Sequence, residues 1–370
     1  MAINKKLDKL TAGIQKKYGK ETVDTAIQAI GREVVTYTTG SLMLDLALGD
    51  GSRAGFPEGR LVEIYGPESA GKTTTVMLAI AARQREEQER EDTDPTYEKR
   101  ACVFVDAEHA FDMVLAAEYG IDLGELIYVN PETAEQAMDI TDAYIRSGAV
   151  CMVIIDSVPS LVPASIEQAS FEQKEMATLA RFMSSVCQKL TGPAFLNKCT
   201  VVFINQIREK VGAWSPTGVA ETTPGGRALK FYSSIRMSVR AGDRIKIGNE
   251  IVGHNLKFKI VKNKIAVPFK EATVPLIYGV GIDRVDEVFQ VALKVGLIKQ
   301  GGAWFSYVDE NGELRVIDGI EIKSQGRDKM LELIRSLPEL FEELESSIRG
   351  LAVEPDEMPE EEIEALKAAK

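Results

Sequence analysis

A buried strand that runs straight into a glycine loop and then a helix leaves a chain few ways to fold. Residues 61–65, LVEIY, read as such a strand, and GPESAGKT, residues 66–73, follows at once and fits the pattern GxxxxGK[ST]. Between a strand and a helix, this pattern is a phosphate-binding loop. Its glycines let successive backbone N–H groups wrap phosphate oxygens, Lys72 reaches the outer phosphates, and Thr73 offers its hydroxyl to Mg²⁺. Gly66, Pro67, Glu68, Ser69, Ala70, Gly71, Lys72, Thr73 and Thr74 are therefore the candidate nucleotide contacts.

The strand needs neighbours, and the sequence supplies them. RLVEIYG, ACVFVDAE, LIYVN, AVCMVIIDS and CTVVFINQ alternate with amphipathic segments such as TAEQAMDITDAYIRSG. Nearly continuous Val and Ile between helices is what a parallel sheet covered on both faces requires, so the fold class is α/β, a P-loop NTPase core with a mostly parallel central sheet flanked by helices. SSIRMSVR and NLKFKIVKNK alternate more strictly and predict antiparallel strands added at the sheet edge.

Four segments follow from these patterns. Residues 1–33 form a basic arm with Leu7, Leu10, Ile14 and Tyr18 at helical spacing, which either packs on its own domain or docks on a neighbouring copy. The core spans 34–283; within it, RQREEQEREDTDPTYEKR (83–100) reads as a solvated helix end and loop. Residues 284–349 predict a small α/β domain, with a hairpin-like AWFSYVDENGELRV turning at Asn-Gly and one final helix, RDKMLELIRSLPELFEELESSI. The tail, 350–370, holds seven acidic residues against two lysines and reads as mobile.

Composition excludes several classes. No apolar run approaches the roughly 18 residues of a membrane span, and MAINKKLDKL lacks the apolar centre of a signal peptide, so a cytoplasmic protein without membrane partners is expected. Cys102, Cys151, Cys187 and Cys199 show no CxxC spacing, which indicates neither zinc nor a disulfide framework. With 44 basic against 56 acidic residues the net charge is −12, so any nucleic-acid site must be local.

Three further strand ends carry polar groups toward the phosphate side. Asp156 closes AVCMVIID as the second metal ligand; Glu108, two residues after VFVD, is placed to orient water, with Asp106 and His109 beside it; Asn205 and Gln206 end VVFINQ as neutral partners for a γ-phosphate. Ligands of open α/β sheets bind at this end of the strands.

Together GPESAGKTTT, VFVDAEHAFD, VIIDSVPSLVP, FINQIREKVG, TTPGGRALKFYSSIRMSVR and KIVKNKIAVPF closely resemble the bacterial RecA recombinase family, over residues 34–345. The resemblance implies a RecA-type core, ATP and Mg²⁺ as cofactors, and helical self-assembly on single-stranded DNA, with double-stranded DNA as the second partner in strand exchange. It matches Lys72 and Thr73 to the phosphate and Mg²⁺ ligands, Asp156 to the second metal ligand and Glu108 to the water-activating carboxylate. Gln206 is matched to the γ-phosphate sensor, and Lys262 and Lys264 to a pair that reaches the γ-phosphate from the next subunit. Two loops would meet DNA. One leads into the helix with Met176 and Arg181. The other runs from 207 to 226 without a helix or strand pattern and carries Arg208, Lys210, Val211, Trp214, Gly225 and Gly226, with Arg227 just beyond. Lys230, Phe231 and Arg236 stand where neighbouring subunits are coupled, and the arm with Tyr18 where subunits polymerise. The small domain resembles one proposed to handle duplex DNA.

The sequence also departs from the family pattern. Leu115 stands where a tyrosine stacks on adenine, leaving Tyr278 to close the other side and Asp112 to take the exocyclic amine; Gln188 replaces an arginine, and Arg227 an asparagine. A divergent member, such as a phage-carried one, would account for these. A hexameric DNA motor of the helicase class shares the core but normally brings a larger N-terminal domain. A DNA-coating regulator would not need Glu108 and Gln206, and a small-molecule kinase would have no role for the paired lysines.

Overall fold

A computed structural model of the chain describes residues 5–19, 23, 34–49, 54–164, 175–215, 218–309 and 311–351. Residues 1–35 and 36–370 are two compact units. In the first, helix α1 (Lys5–Tyr18) is held at its C-terminal end by Gln15 Nε2, which donates to the Val23 carbonyl at 2.7 Å. Leu7, Leu10 and Tyr18 are exposed on it.

The second unit runs, in chain order, through β1 (Thr36–Tyr37), α2 (Leu42–Leu48), β2 (Phe56–Pro57), β3 (Leu61–Gly66), α3 (Lys72–Thr93), β4 (Ala101–Asp106), α4 (Met113–Glu118), β5 (Leu126–Val129), α5 (Ala134–Ser147) and β6 (Val150–Asp156). It continues with α6 (Glu175–Leu196), β7 (Thr200–Gln206), β8 (Arg208–Ser215), β9 (Gly218–Thr222), α7 (Ala228–Tyr232), β10 (Ile235–Ile247), β11 (Glu250–Asn263), β12 (Glu271–Ile277) and β13 (Gly281–Ile282). Nine strands form one sheet, ordered β13-β12-β11-β10-β3-β7-β6-β4-β5. The run from β10 to β5 is parallel, and β11 to β13 are antiparallel. SSIRMSVR and NLKFKIVKNK pair antiparallel as β10 and β11, as expected, but β10 is not at the edge: its other side lies parallel to β3, which makes it the seam between the two halves.

Both faces of the sheet are covered, which is why its strands are apolar throughout. Val62 and Ile64 face a core made with Val76, Met77 and Ile80 of α3, while Leu61 faces the opposite core with Ala137, Met138 and Ile145 of α5 and Met183 and Leu190 of α6. All four cysteines are buried and unbridged.

Residues 284–351 comprise α8 (Arg284–Val295), β14 (Ile298–Gly301), β15 (Trp304–Tyr307), β16 (Val316–Ile317), β17 (Ile320–Glu321), β18 (Lys323–Gln325), α9 (Arg327–Ser336) and α10 (Pro338–Leu351). Their apolar cluster includes Leu42 of α2. Across the same junction the buried Glu287 carboxylate accepts from Ser41 Oγ at 2.5 Å, Leu42 N at 3.1 Å and Met43 N at 3.4 Å. Asp309 and Glu313 close the turn through Asn311 and Gly312 by the bond from Asp309 N to the Glu313 carbonyl at 2.9 Å. The expected single final helix is two. Leu337 precedes Pro338, whose ring disfavours helical backbone before it, and Leu337 sits at φ −122°, ψ 89°.

The segment 83–100 also differs from its reading as a solvated end. Arg83 and Glu87 are fully buried in α3, joined at 2.5 Å; Arg83 also reaches Glu58 at 2.8 Å, and Glu87 accepts from Tyr97 Oη at 2.5 Å and Arg100 Nη2 at 3.1 Å. Each buried charge has an opposite one against it, which makes its burial tolerable.

Candidate functional site

The phosphate loop bends from β3 into α3 through left-handed Gly71, at φ 87°, where a Cβ would stand 2.5 Å from Leu256 Cδ2. Only glycine fits that turn. Lys72 Nζ donates to the Pro67 carbonyl at 2.6 Å and so lies across the loop. Burial pulls its pKa down, against the opposing charges of Asp156, Glu108 and Glu68.

Thr73 Oγ1 donates to Asp156 Oδ2 at 2.8 Å, joining the start of α3 to the end of β6. Burial, with Glu108 and Asp106 adding their charge, pushes the Asp156 carboxyl up to about 7 although the Thr73 bond pulls it down. A hydroxyl and a carboxylate oxygen side by side, in a place where the carboxylate's own charge is poorly solvated, suit a hard divalent cation such as Mg²⁺.

Glu108 lies beyond β4 on a turn that Asp106 ties down, accepting from Glu108 N at 3.2 Å, Phe111 N at 3.0 Å and Tyr128 Oη at 2.9 Å. Its Oε1 accepts from Ser157 Oγ and, at 3.1 Å, from Gln206 Nε2. Strand ends far apart in sequence thus meet at one carboxylate. His109 sits just past it at φ 56°. Asn205, expected to face phosphate with Gln206, is instead fully buried: it donates to Glu63 Oε1 at 2.9 Å and to the Pro224 carbonyl at 3.1 Å. Consecutive strand residues point to opposite faces, so only one of the two could reach the ligand.

A cavity of about 400 Å³ opens beside the loop, lined by Ser69 to Thr74 at one end and by Leu115, Tyr119, His254, Leu276, Tyr278 and Gly279. Tyr278 and Leu115 are therefore together as expected. Asp112 is not among the lining residues; it caps α4, its Oδ1 accepting from Val114 N and Leu115 N, both at 3.0 Å. Ser157 and His254 were missed from sequence. No sequence signal marks His254; its place follows from β11, where Leu256, two residues on and on the same face, packs against Gly71.

The residues expected to couple subunits gather elsewhere on the surface. Lys262 Nζ donates to the carbonyls of Lys230 at 2.7 Å and Phe231 at 2.9 Å, and Lys264 Nζ to that of Phe231 at 3.4 Å. Burial, with Lys264 and Arg236 nearby, pulls Lys262 down to about 8. Phe231 is exposed, whereas Arg236 is engaged with buried Glu63 and lies over the Tyr65 ring.

The segment 207–226 was expected to lack regular structure, yet β8 and β9 form a hairpin, pairing Arg208 with Thr222 and Trp214 with Val219. Arg208 and Arg227 are exposed; the side chains of Lys210, Val211 and Trp214, and that of Met176 on α6, lie outside the described residues. Arg181 is exposed on α6, and Gly226, at φ 75°, brings the loop's end against the same helix, where a Cβ would stand 2.7 Å from Ala180 Cβ.

Comparison with known proteins decides the family. Residues 5–283 match the model of the RecA N-terminal domain and 286–352 that of the RecA C-terminal domain. The chain is 41% identical over 365 residues to Protein RecA of Halalkalibacterium halodurans, covering 97% of each. It is 41% identical over 350 residues to that of Ruminococcus albus, covering 95% of this chain and 81% of the other, and 40% identical over 352 residues to that of Brevibacillus brevis, covering 95% and 92%. The chain belongs to the RecA family. Its function therefore lies in recombination and repair, and the hexameric motor is not favoured. Among the described residues no helix is long and apolar enough to cross a membrane.

Proposed function

We propose that this RecA-family chain is a cytoplasmic DNA-dependent ATPase that assembles as a helical filament on single-stranded DNA and exchanges strands with homologous duplex. The observation that carries this is the bond from Gln206 to Glu108. Gln206 ends β7 and Arg208 begins the hairpin, so the residue bonded to the candidate water-orienting carboxylate stands two positions before the candidate DNA loop on the same backbone.

In this reading the loop amides and Lys72 hold the phosphates, and Thr73 and Asp156 would hold Mg²⁺, which would supply neutralising charge to them. Glu108 accepts the proton of the attacking water. Gln206 exchanges its bond between Glu108 and the γ-phosphate and so passes the nucleotide state into β8. Lys262 and Lys264 act on the nucleotide of the adjacent subunit, Phe231, Lys230 and Arg236 couple subunits, and residues 1–33 dock on the neighbour. Arg181, Arg208, Lys210, Trp214 and Arg227 supply local positive charge and a stacking surface for the strand, with Met176, Val211, Gly225 and Gly226 beside them, and residues 284–349 handle duplex.

Steady-state ATP hydrolysis with and without single-stranded DNA, with negative-stain images of the same samples, tests this. Strong stimulation with helical filaments is expected. Stimulation with closed rings, or none, would overturn it.

A further inference from the structure

His254 lines the cavity beside the phosphate loop and carries a ring nitrogen whose hydrogen bond is unmet. His254 Nδ1 lies 3.1 Å from Tyr278 Oη, their ring centroids 5.6 Å apart and tilted by 49°, while His254 Nε2 is enclosed with no hydrogen-bond partner. A neutral imidazole carries one proton, so the direction of the tyrosine bond decides whether Nε2 donates or accepts. In either case a buried ring nitrogen without a partner is costly, and the cost is removed by a ligand edge that completes the bond.

The cavity's lining points to that ligand. It joins the loop residues Ser69 to Thr74 with Leu115, Tyr119, Leu276 and the His254–Tyr278 pair. Leu115 offers an apolar surface but no ring, so the aromatic surfaces here come from Tyr119, His254 and Tyr278.

We propose that His254 is a base-reading residue: its Nε2 bonds the edge of the purine of a nucleotide held on the phosphate loop, and Tyr278 positions it by fixing the imidazole tautomer. This rests on the nucleotide reading above. His254 thereby contributes base-dependent affinity and leaves the phosphate contacts alone.

The test is calorimetric titration of the full chain with Mg²⁺–ADP, Mg²⁺–IDP and inorganic tripolyphosphate, for the parent, His254→Ala, His254→Gln and Lys72→Ala. The expected result is roughly tenfold weaker ADP binding in His254→Ala, a smaller difference between ADP and IDP in that variant than in the parent, partial recovery in His254→Gln, and tripolyphosphate binding unchanged by either His254 substitution. ADP affinity in His254→Ala within twofold of the parent, while Lys72→Ala loses it, would overturn the inference and leave the nucleotide reading intact. Equal weakening for ADP and tripolyphosphate would also overturn it, because His254 would then act through the loop. A parent that binds none of the three would remove both.

Discussion

Glu108→Gln isolates the carboxylate's charge from its position. Both neighbours, Ser157 Oγ and Gln206 Nε2, donate to the same oxygen, Oε1. An amide oxygen can accept both, and the amide nitrogen would take the place of Oε2, so the turn that Asp106 holds need not move. What is lost is the ability to take a proton from water. General-base catalysis contributes roughly 10²- to 10⁴-fold, equivalent to about 2.7 to 5.5 kcal/mol of barrier. Turnover should fall by that factor, while ATP-dependent filaments persist, since nucleotide binding uses the loop, Lys72 and Thr73. Phosphate release on saturating single-stranded DNA, with electron microscopy of the same samples, reads both quantities. Turnover within about threefold of the parent would show that another group handles the water, and loss of the filaments would show that Glu108 also holds the assembled state. Glu108→Ala is the poorer experiment, because it leaves two donors without an acceptor.

Arg83→Met should destabilise the core by about 3 kcal/mol, near the lower end for a broken buried pair, because Arg100 and Tyr97 still hold Glu87; an unchanged urea midpoint would refute it. Glu287 adds a pH dependence. Burial first, against bonds from Ser41 and the Leu42 and Met43 amides, raises its carboxyl from 4.5 to about 7, so between these values the folded chain holds a proton that the unfolded chain has released. Its contribution is therefore full below about 4.5 and is lost as the pH rises through about 7; melting temperatures across this range should show the decline, and Glu287→Gln should flatten it. Lys72→Ala should abolish ATP-dependent DNA binding, measured by fluorescence anisotropy of a labelled strand. Removing 351–370, with seven acidic residues against two lysines, should strengthen duplex binding at moderate salt; identical salt titrations would count against a competing role for the tail.

The site's main parts were legible because each is written in a local pattern. A left-handed turn needs glycine at Gly71, a phosphate needs the lysine and hydroxyl that follow, and acids at the ends of parallel strands converge because the sheet aligns those ends. Asp156 and Thr73 could thus be paired from sequence although 83 residues separate them. Pattern reading failed where the deciding partner was remote. Hydropathy assigns Arg83 and Glu87 to solvent, since it does not see Glu58 arriving from elsewhere in the chain and Arg100 folding back from the segment's own end. A strand's alternation does not state which neighbours it takes, so the parallel pairing of β10 with β3 was not legible beside its antiparallel pairing with β11. His254 and Tyr278 are 24 residues apart on adjacent strands, and Gln206 and Glu108 are 98 apart. The sequence alone determined the phosphate loop, the parallel core and the family, because short-range backbone geometry and period carry them. Only the tertiary structure decided which charges are buried, that Asn205 turns to Glu63 while Gln206 meets Glu108, and that His254 stands against Tyr278, because those depend on the three-dimensional convergence of elements whose individual sequences are silent about one another.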